Sequence, residues 1–304
     1  MQNNDIERLY KYSTESGWDC DYMRFFGTGH AFKSNYFHGT IASEVGTPPN
    51  NAHVDCFQTW DAGSAPASSN ITLDSNVCTD MADFLMAEGQ NDKATHDIII
   101  RNNVIANTLR VVGCGDGINL KDIYNVTIVG NTFCNLGNIG VYVHEVTPGL
   151  IVNVRIKNNI FDTIGSSSHY AYSFNFPGSI PSTVASDYNL LNGCAPDGGK
   201  KASCSTGGTG IGGCNDITTT DTKFVNPTIL LGTDGILFTA DDGLNIQSSS
   251  PAIGVGDNLS SLGSSYALDI LGNSRSSSWD IGAYEYTPGG DTTPPAAPTG
   301  LAVY

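Results

Sequence analysis

The chain has 304 residues, only 14% of them charged, and its 30 acidic against 14 basic residues give a formal net charge of −16. So acidic a chain lacks the basic patches that nucleic acid and anionic membranes require, and it disfavours a densely sulfated glycan; neutral glycans, or acidic ones bridged by Ca²⁺, stay compatible. No run approaches the roughly 18 apolar residues of a membrane span. The Gly/Ser/Thr-rich body reads as secreted or cell-surface. Met1-Gln2-Asn3-Asn4-Asp5 lacks the layout of a signal peptide, so a piece upstream is expected to have been removed.

Residues 1–20 read as an N-terminal cap or remnant, with Ile6 to Tyr12 as a short amphipathic piece over an open solenoid end. A repeat then sets in. Ala31–Phe37, Ile71–Cys78, Ile98–Ile105, Val126–Phe133 and Val154–Phe161 each join a short alternating strand, an Asn and another apolar pair. The Asn positions are 35, 76, 103, 131 and 159, in steps of 41, 27, 28 and 28, with a sixth copy at Ser186–Leu191. A strand at fixed phase in a period of 27–28 predicts a solenoid of at least five β-coils, the longer step holding one insertion. The Asn is expected to take the left-handed conformation of a sharp corner and to stack its amides in a buried ladder.

A second strand follows each corner: Asp55–Trp60, Asp83–Glu88, Asp116–Lys121, Gly140–His144 and Ala171–Asn175. Its distance from the ladder varies, 22 residues from Asn35 to Phe57 but 9 from Asn76 to Leu85, and variable loops beside a regular stack mark a functional side. Strand parity turns Leu85, Ile118 and Val141 inward. Trp60, Glu88, Lys121, His144 and Asn175 then form one outward column, and Gln58, Met86, Asn119, Tyr142 and Ser173 the next. Loops 42–52 and 106–113 would wall the groove. Aromatic, acid, base and amide groups in one strip suit a sugar ring, apolar on its faces and polar at its edge. The bland alternative is a solvated sheet face.

Eight cysteines with no CxxC pair argue against a zinc ribbon. Cys78 and Cys134 fall on strands and read as buried thiols, and a disulfide is expected within Cys194, Cys204 and Cys214. Asp234, Asp241 and Asp242, between Thr233 and Gly243, resemble an oxygen-rich Ca²⁺ loop without the spacing of an EF-hand; the competing reading is a tight turn capped by Asp.

Near the end stand Ser250-Pro251-Ala252-Ile253, Asp269-Ile270-Leu271-Gly272-Asn273-Ser274-Arg275 and Trp279-Asp280-Ile281-Gly282-Ala283-Tyr284-Glu285-Tyr286. This pattern is similar to the closing coil of right-handed parallel β-helix proteins, the fold of bacterial secreted polysaccharide lyases and their relatives, and the resemblance covers about residues 21–287. It implies an all-β solenoid and a polysaccharide partner for a monomeric protein, but no single reaction, because the family holds lyases, hydrolases, epimerases and adhesins. Residues 288–304 read as a Pro/Thr/Gly linker, and "PPAAPTGLAV" resembles the truncated opening of a fibronectin type III module.

In a lyase, Lys121 would be the base that removes the proton α to a uronate carboxylate, and His144 or Tyr142 the acid; Glu88 would orient Lys121 or help hold Ca²⁺. In a hydrolase, Glu88 and Glu145, with Asp116 as a third candidate, would supply the two carboxylates. Trp60, Gln58, Asn119, Tyr142 and Asn175 would bind substrate in either case. A non-catalytic glycan-binding or adhesin segment, or a structural spacer, is the alternative. His53-Val54-Asp55-Cys56-Phe57-Gln58 resembles an HxDxxQ stretch of β-helix proteins, in which His53 and Asp55 would order the corner.

Overall fold

A computed structural model describes residues 1–9, 20–40, 54–89, 95–107, 116–164, 170–194 and 215–288. Regular structure is almost entirely strand, in three parallel sheets stacked as a β-helix of about six turns. Each coil passes from sheet A to sheet B to sheet C, as in Ser69–Asp74, Val77–Thr79 and Asp83–Glu88. Sheet B runs to eight strands because Asp5–Glu7 and Ile217–Thr219 pair at its two ends. Residues 5–7 are thus the end strand of the stack, and residues 10–19 lie outside the described residues.

The alternating pattern does what strand parity requires. Leu73, Ile100, Ile128 and Ile156 from sheet A, Phe37, Ile105, Phe133 and Phe161 from sheet B, and Leu85, Ile118 and Val141 from sheet C are all fully buried in one core. Gly117 and Gly140 sit at the entry to sheet C where the chain has no room for a side chain. A Cβ there would lie 2.7 Å from the Phe133 ring and 2.5 Å from the Phe161 ring, respectively. Those two rings stack 4.8 Å apart.

The ladder is present and longer than the repeat suggested. Asn4, Asn35, Asn76, Asn103, Asn131, Asn159 and Asn189 each donate Nδ2 to the amide or carboxylate oxygen on the next coil, and Asp216 ends the chain of bonds. The receiving oxygen also accepts the backbone N–H of the donor residue, as Asn131 Oδ1 does from Asn103 at 2.9 Å. The left-handed residue is the one before the ladder Asn: Ser34, Ser75, Asn102, Gly130, Asn158 and Tyr188 have φ between 52° and 65°. That corrects the expectation that the Asn itself turns the corner. The preceding residue makes the bend, which aims the amide into the coil, where a buried amide must find partners for all its polar atoms.

Cys78 is not a free thiol. Cys56 lies at the inward-facing start of its sheet C strand and forms a disulfide with Cys78 of sheet B across the coil. Cys134 and Cys194 do carry free thiols, and burial pushes both up to about 12. This removes Cys194 from the expected local disulfide; Cys204 and Cys214 lie outside the described residues.

The pattern expected to close the helix forms no further coil. Residues 222–286 run back along the molecule as a strap, held by isolated antiparallel bridges, and cover the outer face of sheet B. Val104, Ile160 and Leu190 on that face pack against Ala252, Ile281 and Tyr284 of the strap. Buried Arg275 bonds Gly282 O at 2.8 Å and Asn102 Oδ1 at 3.2 Å, and Asn158 O accepts Gly282 N, so the strap clamps the left-handed corner residues. Apart from Thr287 and Pro288, the linker and the fibronectin-like segment lie outside the described residues.

Candidate functional site

Sheet C carries the expected outward column in register. Trp60 pairs with Glu88, Glu88 with Lys121, Lys121 with His144, and His144 with Asn175. The adjacent column runs Arg24, Gln58, Met86, Asn119, Tyr142 and Ser173. The inward partners fix this register, because a slip of one residue would drive Lys121 into an apolar core.

Lys121 Nζ lies 3.3 Å from Glu88 Oε1, and both side chains are about a third exposed or less, at 26% and 33%. Burial, and next the charge of Lys121, lower the pKa of His144 below the ordinary histidine value, which favours its neutral imidazole. The Tyr142 ring stacks on His144 with centroids 5.3 Å apart. The Tyr142 hydroxyl oxygen accepts Asn175 Nδ2 at 3.1 Å, which leaves its own proton available to a ligand. One lysine, one carboxylate, one imidazole and one phenol thus share a patch three coils long.

Towards the N-terminal coils the face becomes aromatic. Phe26 meets Trp60 edge-on at 4.7 Å, and the Arg24 guanidinium lies 5.4 Å from the centroid of the Trp60 ring. Asn119 is half-buried between Met86 and Tyr142, whereas Gln58 keeps only 7% exposure. Arg24 and Phe26 extend both columns by a coil. The parity of Met23-Arg24 would have found them had the two-residue strand been long enough to show a period.

Glu145 and Asp116 do not join this group. Glu145 is buried and its Oε1 accepts Gly149 N and Ile151 N, while Asp122 takes Val146 N and Thr147 N; together they pin the loop beside His144. Asp116 is buried at the entry to its strand, where Oδ1 accepts Asn138 Nδ2 and Ile139 N. His53 and most of the expected groove walls, residues 42–52 and 108–113, lie outside the described residues. Asp55, the partner proposed for His53, is fully buried and its Oδ1 accepts Asp83 N, as expected of a group that orders the corner.

The Asp234 loop is a turn capped by its own acids. Asp241 Oδ2 accepts Thr233 N and Thr233 Oγ1, each at 2.6 Å, and Oδ1 accepts Thr239 Oγ1; the Thr233 hydroxyl is the main cause of its pKa falling to about 2. Asp242 is fully buried, accepts Phe238 N and the Tyr284 hydroxyl, and is pushed up to about 7 by burial. Asp234 Oδ1 accepts Ile236 N. Asp241 and Asp242 spend oxygens on N–H and O–H groups, whereas Asp234 Oδ2 is buried without a hydrogen bond, and among the described residues no three metal-binding side chains converge.

Comparison with protein families and with curated proteins brings no relative into the argument. No family model matches the chain, and no curated protein matches it. The chemistry must be read from the face itself. Among the described residues no helix is long and apolar enough to cross a membrane.

Proposed function

We propose that the outer face of sheet C binds a uronate-containing polysaccharide and cleaves it by β-elimination. The observation that carries this reading is Lys121, set between Glu88 and His144 on three successive coils. The roles then divide in a way that differs from the sequence-based expectation. Glu88 holds the Lys121 ammonium in place, and the ammonium neutralises the sugar carboxylate, which acidifies the proton α to it. Neutral His144 takes that proton. The released electron pair forms a carbon–carbon double bond as the carbon–oxygen bond β to the carboxylate breaks, and Tyr142 protonates the departing oxygen. Trp60, with Phe26 and Arg24, offers a platform for a neighbouring ring.

Elimination is favoured over hydrolysis because hydrolysis needs two carboxylates facing one bond. Glu88 is available on this face, but Glu145 and Asp116 are buried and already accept backbone N–H groups. The disulfide between Cys56 and Cys78 supports placing the protein outside the cell or on its surface, where thiols oxidise and such polymers are met. We read it there as a monomer.

The test is a panel of neutral and uronate polysaccharides, with and without added Ca²⁺, followed for both the absorbance of unsaturated products and new reducing ends. Unsaturated products from a uronate polymer are expected. Reducing ends without unsaturation would assign hydrolysis, and retention on a glycan column without either signal would leave a non-catalytic binding face.

A further inference from the structure

Sheet A carries a second groove, on a different side of the coil from Lys121. Its floor is the outward column Ile99, Thr127, Arg155 and Ala185, which the strand register places on four successive coils. One bank is a row of side chains at the entry to sheet A: Asn153 Nδ2 donates to Asn125 Oδ1, and Asn125 Nδ2 to Asp97 Oδ1, each at 2.9 Å. The other bank is Tyr266 from the strap. The space between has a volume of about 560 Å³.

Two hydrogen-bond donors in this groove have no partner among the described residues. Seven other lysine and arginine side chains among the described residues pair with a carboxylate, and Arg155 pairs with none. The Tyr266 hydroxyl likewise makes no hydrogen bond, although its ring is fixed, with the Arg101 guanidinium 5.0 Å from the centroid. Burial pushes the Tyr266 phenol up while the charges of Arg101 and Arg155 pull it down, which places Arg155 within electrostatic reach of the same ring. An unpaired guanidinium is unusual in a chain of net charge −16, where acidic side chains outnumber basic ones by two to one.

We propose that this groove is a separate binding site for an oligosaccharide that carries a single carboxylate, gripped by Arg155 and the Tyr266 hydroxyl. A guanidinium offers a carboxylate two parallel N–H donors, which a lysine cannot. The Asn and Thr side chains along the groove exchange hydrogen bonds with sugar hydroxyls, and Ile99 and Tyr266 cover the apolar face of a ring. Asp97 lies two strands from Arg155 and two residues along its strand from Ile99, the residue in register with Arg155, and repels a second acid group at that end. An extended acidic peptide fits less well. It binds a sheet by pairing with a free strand edge, and the strands of Ile99, Thr127 and Arg155 each lie between two neighbours. The site holds whether or not sheet C is catalytic.

Calorimetric titration of the protein with aldotriouronic acid, one glucuronic acid on two xyloses, tests this against the neutral xylotriose. The acid is expected to bind at least tenfold more tightly. In a Lys121→Ala background, where the sheet C face no longer takes the carboxylate, Arg155→Gln should reduce it to the level of the neutral sugar and Tyr266→Phe should weaken it. Arg155 is partly exposed, so its replacement does not threaten folding. The proposal is overturned if the acid does not bind, if both sugars bind equally, if Lys121→Ala and not Arg155→Gln abolishes binding, or if a hexaglutamate peptide binds the Arg155 groove as tightly as the sugar acid.

Discussion

Lys121 Nζ donates to Glu88 Oε1 at 3.3 Å, across one strand spacing of sheet C and 33 residues of chain. The pair holds the ammonium over the centre of the face. With side-chain exposures of 26% and 33%, its contribution to folding is small, and its value lies in where it puts the charge.

Glu88→Gln removes the carboxylate that holds the ammonium. The expected result is a fall in kcat/KM on a uronate polymer of about tenfold, with stability changed by less than about 0.5 kcal/mol. Steady-state kinetics and a thermal melt on the same sample check both halves. A loss of stability without a loss of rate would give Glu88 a purely structural role.

The pH profile follows from His144. A base works when deprotonated, so the rate should rise with pH through the His144 pKa, and burial with the Lys121 charge puts that limb below the ordinary histidine value. Activity is expected to persist at a pH where an exposed histidine is half protonated. Lys121→Ala removes one cause of the depression and should move the limb of any residual rate to higher pH, whereas His144→Gln should abolish the limb.

Asn131→Ala tests the ladder. Asn131 Oδ1 accepts both the N–H and the Nδ2 of Asn103, and its own Nδ2 donates to Asn159 Oδ1 and Ile100 O. Truncation leaves several buried polar groups without partners, at about 1–3 kcal/mol each. A destabilisation above about 3 kcal/mol in denaturant titration is expected, and Asn131→Asp should also destabilise because a carboxylate cannot donate along the row.

The strap has its own pH dependence. Burial raises Asp242 to about 7, far above an unfolded aspartate, so the folded strap prefers the protonated acid. Its stabilising contribution is complete below the unfolded value of about 4 and is lost as pH rises through about 7. Hydrogen exchange of strap amides should therefore quicken between pH 5 and pH 8 by more than chemical exchange alone accounts for, and Asp242→Asn should flatten that trend.

The period of 27–28 made the solenoid legible, because a ladder tolerates no change of phase between coils. Asn4 and Asp216 escaped notice because the three-residue strands Asp5–Glu7 and Ile217–Thr219 are too short to alternate. The sheet C columns were readable for a different reason: Leu85, Ile118 and Val141 are apolar and buried, so parity forces Glu88, Lys121 and His144 outward. Strict parity would turn Cys56 outward, but the chain is still entering sheet C there and the side chain turns inward to Cys78. The strap and the Arg155–Tyr266 groove had no period to betray them. Their contacts join segments far apart in sequence through single bridges and lone side chains, and only the fold brings them together.

The central claim is that Lys121 works on a sugar acid at the surface of sheet C. It is tested most directly by the initial rate of unsaturated product from a uronate polymer, measured for the protein and for Lys121→Ala at matched folded concentration. The account predicts measurable product from the protein, a loss of at least a hundredfold in Lys121→Ala, and a melting temperature within about 2 °C of the parent, as for a surface substitution. An undiminished rate in Lys121→Ala, or no unsaturated product from any uronate polymer, would contradict it.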